Sequence, residues 1–81
     1  MNANIHNFAT MSIRTVIGGN MKALRIAREW SQEKLAIRSK LSVNYVSALE
    51  RGTVNVSADS LEKIAKALKV EVEDLVKKSK N

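Results

Sequence analysis

The chain reads as an all-α domain, a compact bundle of five short helices. Apolar residues recur three or four positions apart over most of the 81 residues, whereas alternating strand patterns are weak. Proline is absent and only three glycines are present, so few positions break a helix. Serines stand just ahead of several apolar runs, where a hydroxyl accepts from the unpaired amides of a first turn.

Residues 1–11, polar apart from isolated residues such as Ile5 and Phe8, read as a flexible N-terminal arm. Residues 12–81 then form the domain. Ile13, Val16, Ile17, Met21 and Leu24 make one stripe, which predicts a first helix from about Ser12 to Arg28. Gly18 and Gly19 fall inside it at about 1 kcal/mol each relative to alanine, so a start after Gly19 is the alternative. Ser31 caps a second helix that buries Leu35 and Ala36 and ends near Ser39. Ser42 caps a third, VNYVSALER, which stops at Gly52, a residue suited to the left-handed backbone that follows a helix. Ser57 opens a fourth, with Asp59 in its first turn and Leu61, Ile64, Ala65 and Leu68 inside. Val72 to Lys78 make a short fifth.

Fourteen Lys and Arg against eight Asp and Glu give a net charge of +6, which favours a polyanionic partner. Residues 1–56 hold eight basic and three acidic side chains, so the anion-facing surface belongs mainly there. No cysteine is present, which removes thiolate chemistry and thiolate zinc sites and fits a cytoplasmic location. The apolar runs are too short to span a membrane. His6 lies in the arm with no nucleophile or carboxylate constellation around it, and Gly18 and Gly19 match no phosphate loop. The expectation is therefore a protein without catalysis, metal or cofactor.

Two short helices joined by a tight turn in a positive region form the unit that lays its second helix into the major groove of DNA. At about 100° per residue, Val46 and Leu49 point one way, while Asn44, Ser47, Ala48 and Arg51 point the other. That outer face is small and polar, as a groove reader requires. Asn44 can pair with adenine, Ser47 can reach several base edges, and Val43 and Ala48 can touch thymine methyls. Gln32 and the amides around it can clamp a phosphate, with Lys34, Arg38, Lys40 and Arg51 as further backbone-facing charges. Glu50 sits at the edge of the apolar face, where a carboxylate is costly unless paired. A bidentate bridge to Arg25 is the preferred account, and an exposed Glu50 with no structural role is the alternative.

The stretches Ser31-Gln32-Glu33-Lys34-Leu35-Ala36 and Ser42 to Gly52, continued through Leu61 to Leu68, resemble the Cro/C1-type helix-turn-helix family over about residues 17–76. The resemblance implies a lambda-repressor-like fold and sequence-specific binding to a double-stranded DNA operator. It places Val43, Asn44, Ser47 and Ala48 at base edges and Gln32 on phosphate, and it makes Arg25 and Glu50 a buried bridge. Asn44 to Gly52, with Asn55 and Ser57 beyond, is similar to restriction–modification controllers, which are homodimers on palindromic sites; phage repressors, plasmid regulators and antitoxins share much of the pattern. Asn55 joins the phosphate-contacting set on this resemblance, and a contact with RNA polymerase is a further expectation. Glu29 and Lys40 stand where the family often has glycine, so Lys40 is expected in a left-handed conformation or a different turn. Val54 replaces a phosphate-seeking arginine of the controllers, and Trp30 fits a core position. Val70, Val72, Leu75 and Val76 are the expected dimer seam, although Leu75 serves equally well to close the core.

Overall fold

The computed structural model describes residues 12–78, and its helices are α1 (Ile13–Ala27), α2 (Gln32–Ser39), α3 (Val43–Arg51), α4 (Ala58–Leu68) and α5 (Val72–Val76). The arm predicted for residues 1–11, with its Ile5, His6 and Phe8, lies outside the described residues. Among those described, every regular element is helical.

Serines start the first four helices. The hydroxyls of Ser12, Ser31, Ser42 and Ser57 accept from the amides of Arg14, Lys34, Tyr45 and Ser60 at 3.0–3.1 Å. Ser12 thus places the start of α1 before the two glycines, and the later start is excluded. Left-handed residues end the elements: Lys40 (φ 61°) after α2, Gly52 (φ 72°) after α3 and Lys69 (φ 61°) after α4, with Glu29 (φ 59°) in the turn behind α1. Lys40 adopts the conformation expected of a glycine replacement, whereas Lys69 carried no such sequence signal. These backbones are held by main-chain bonds across each helix end, such as Leu41 N to Ala36 O at 2.9 Å and Val70 N to Ala65 O at 3.0 Å.

Met21, Leu35, Val46, Ile64, Leu68 and Leu75 are fully buried and meet in one core. Helix α1 packs on α3 and α5, while α2 packs on α3 and α4. Two expectations change here. Ile13 does not belong to the inner stripe: it is half exposed, because the first turn of α1 runs past the edge of the core. Leu75 is removed from the dimer seam, since it has no exposed surface in the single chain and closes the core beneath α5. Val70, Val72 and Val76 also pack against that core and stay half-buried.

Helix α1 crosses α3 with backbone almost touching backbone. A Cβ on Gly18 would fall 2.4 Å from Leu49 O and 2.7 Å from Glu50 O, so only glycine fits this crossing. The two helix backbones meet there, and Glu50, whose side chain anchors α3, lies at the same seam.

Candidate nucleic-acid interface

Helix α3 presents two unlike faces. Val46 and Leu49 are buried, which fixes the opposite face outward. Asn44 is exposed, Val43 is partly exposed, and Ser47 and Ala48 are half-buried. The Asn44 side chain forms no hydrogen bond among the described residues, so its amide donors and carbonyl acceptor are all free to meet a base edge. Arg51, one turn beyond Ser47, donates from Nη1 to the Ser47 hydroxyl. The i, i+4 spacing carries that signal, although a base contact at Ser47 and a phosphate contact at Arg51 read as separate in the sequence. Their bond holds the guanidinium along the outer face.

Glu50 is the polar anchor of α3. Arg25 Nε donates to Glu50 Oε2 at 2.7 Å and Arg25 Nη2 to Glu50 Oε1 at 3.0 Å, and the two side chains retain only 12% and 3% of their exposure. The bridge is thus bidentate and nearly dry, and the alternative of an exposed Glu50 is excluded. Arg25 Nη1 also donates to Trp30 O at 2.7 Å, which ties the end of α1 to the turn before α2. The hydrogen bond to Glu50 raises the Arg25 pKa above the ordinary guanidinium range; burial opposes this, and the negative charges of Glu50 and Glu33 add to it. A raised cation pKa contributes stability that is present below the group's unfolded value and is lost only as pH rises through the folded one, so deprotonation of Arg25 does not break the bridge near neutral pH.

Gln32 joins the same network. Its Nε2 donates to Glu50 Oε1 at 3.0 Å, a contact that sequence spacing did not reveal. One amide hydrogen is therefore spent on Glu50. The phosphate-clamp candidate on α2 and helix α3 are in this way fixed to one carboxylate.

Trp30 departs from its expected place. It packs against the core but is only half-buried, with Arg38 5.4 Å and Lys34 5.8 Å from its ring centre. Trp30 precedes α2 and its indole lies under Lys34 and Arg38, two of the candidate phosphate contacts, and restrains them by cation–π attraction. Asn55 is exposed before α4, and its carbonyl accepts from Tyr45 Oη at 3.4 Å. Val54 packs toward the core.

Against known proteins, a family model described as helix-turn-helix matches residues 21–75. The chain belongs to the helix-turn-helix family, Cro/C1 type. Helix-turn-helix proteins of this type are DNA-binding transcription regulators, and this chain is one of them. It is 46% identical over 68 residues to the control protein C.BamHI of Bacillus amyloliquefaciens, covering 83% of this chain and 84% of that one. The restriction-modification controller C.AhdI of Aeromonas hydrophila superposes with a TM-score of 0.74 at 40% identity, over 76% of this chain and 94% of that one. A hypothetical transcription factor from Neisseria, NHTF, superposes with a TM-score of 0.80 at 39% identity, over 83% and 77%. Helices α2 and α3 are the two helices of this helix-turn-helix, and Lys40 and Leu41 form the turn between them.

Proposed function

We propose that the protein binds a palindromic duplex operator as a homodimer and controls transcription in a restriction–modification system. The outward face of α3 carries this reading: Asn44, Ser47 and Ala48 lie on one side of a helix whose other side is buried, anchored by the nearly dry Arg25–Glu50 bridge. Val43, Asn44, Ser47 and Ala48 read base edges. Gln32, Lys34, Arg51 and Asn55 hold phosphates on either side and set the register. Arg38 and Lys40, expected beside them from the sequence, are left out of this set because they line a separate cleft between α2 and α4. The likeness to C.BamHI and to C.AhdI favours the controller role over other regulators of this family.

Two-fold symmetry places the second reading helix one duplex turn away, about 34 Å. With Leu75 committed to the core, the seam uses the uncovered parts of Val70, Val72 and Val76. The regulator acts in the cytoplasm, without catalysis, and contacts RNA polymerase from its operator; among the described residues no helix is long and apolar enough to cross a membrane. Selection from random duplexes, followed by footprinting upstream of the protein's own gene and sedimentation of the complex, tests the proposal. A symmetric site bound by two chains is expected. An asymmetric site filled by one chain would overturn the dimer.

A further inference from the structure

The last turn of α2 and the second half of α4 enclose an open cleft of about 240 Å³ lined by Arg38, Ser39, Lys40, Lys63, Lys66 and Ala67. Four of these six residues are cationic and none is acidic. Lys63 pairs with Asp59 at 3.2 Å, but both side chains are largely exposed, and such a pair exchanges readily. Arg38, Lys40 and Lys66 have no carboxylate partner among the described residues. Cations gathered from two elements with no acid between them raise the local positive potential, which favours an anionic occupant.

Resting on the DNA-binding reading above, Gln32 and Asn55 face phosphates near the N-termini of α2 and α4. At 1.5 Å per residue, Lys40 lies about 12 Å beyond Gln32, and Lys66 about 12 Å beyond the start of α4. The cleft is therefore set back from the phosphate row by roughly two turns of helix. It is also poorly built for a compact phosphate. The Ser39 hydroxyl, the one buried polar side chain in the lining, donates back to Leu35 O at 2.7 Å. The remaining donors sit on long stems spread over two helices, an arrangement that matches carboxylates distributed along a chain. Arg38, restrained over Trp30, presents a fork suited to one of those carboxylates.

We propose that this cleft docks an acidic segment of a second protein, whose carboxylates pair with Arg38, Lys40, Lys63 and Lys66 while α3 remains on DNA. A dye-labelled glutamate–serine peptide, followed by fluorescence anisotropy with the full chain, tests this. Lys63→Gln with Lys66→Gln is expected to weaken peptide binding by about tenfold, whereas Arg14→Gln with Lys22→Gln, an equal charge loss outside the cleft, changes it less than about twofold. Equal losses in the two pairs would reduce the effect to general charge attraction and overturn the proposal. Inorganic phosphate competing as well as the peptide would also overturn it, in favour of a small-anion site. A second arm uses the selected duplex: the peptide is expected to bind the protein–DNA complex undiminished, with duplex affinity and its salt dependence unaltered by the Lys63 and Lys66 changes. Displacement by the duplex, or a shallower salt slope, would assign the cleft to DNA phosphates instead. The first arm needs no DNA, so failure of the DNA reading and failure of the docking site give different results.

Discussion

The seam between α1 and α3 and the α5 end of the domain are both buried, yet they are built from different chemistry. At the seam, backbone meets backbone at Gly18, and a carboxylate is gripped by Arg25 and Gln32. At the other end, Leu75 fills the core from a helix of only five residues, and Asn20 reaches over to donate to Leu75 O at 2.7 Å and Lys77 O at 2.9 Å. Apolar contact is non-directional, so Leu75 supplies volume and closure, while the Asn20 bonds only tie down the end of the short α5. Hydrogen bonds and close backbone approach fix angle and register. Helix α3 is held by the directional kind of contact, which is what the proposed presentation of Asn44 and Ser47 to base edges requires.

The contrast is sharpest where a charge is left behind. Glu50→Ala strands Arg25 in a nearly dry site and removes a partner of Gln32, so it is expected to destabilise the protein by about 3–5 kcal/mol in chemical denaturation. Replacing both Arg25 and Glu50 by methionine should recover much of that stability without recovering DNA affinity. A double variant no more stable than Glu50→Ala would show that packing, rather than the stranded cation, sets the cost. Leu75→Ala is expected to cost about 2–5 kcal/mol by opening a cavity, with the DNA site preference of the folded fraction unchanged. Loss of dimer at full monomer stability, seen by sedimentation, would return Leu75 to the seam.

Adjacent glycines give the finest comparison. Gly18→Ala forces a methyl against the carbonyls of α3 and should destabilise by about 1–3 kcal/mol, with weaker DNA binding as α3 tilts. Gly19 has open space where its Cβ would lie, so Gly19→Ala should stabilise by up to about 1 kcal/mol. Equal thermal shifts in the two variants would mean that the α1–α3 crossing is looser than the distances indicate.

Much of this was legible from local signals. Serines before apolar runs located three helix starts, at Ser31, Ser42 and Ser57, whereas the start of α1 stayed open until the Ser12 cap fixed it; helical phase separated Val46 and Leu49 from Asn44 and Ser47. The misplaced carboxylate of Glu50 pointed to Arg25 because an unpaired charge at a buried edge is intolerable. What escaped depends on how helices cross. Nothing in the spacing tells that Gln32 meets Glu50, that Asn20 caps the end of α5, or that Leu75 is used up inside one chain, since each is a contact between distant segments. Ile13 fitted the periodic stripe and is nonetheless half exposed, because periodicity gives a face and not where the neighbouring helix ends. Trp30 stands at a family core position and does pack against the core, but only half-buried, with Lys34 and Arg38 over its outer side.

The central claim is that the outward face of α3 reads DNA, and Asn44 isolates it, because this side chain is exposed and bonds to nothing among the described residues. Binding selections with the parent and Asn44→Ala chains, run at one salt concentration, are the direct test. The account predicts an unchanged fold and a loss of about 1–3 kcal/mol of discrimination, confined to the one or two base positions that Asn44 faces in each half-site. An unaltered ranking of sites would contradict it and move the reading surface off this face of α3.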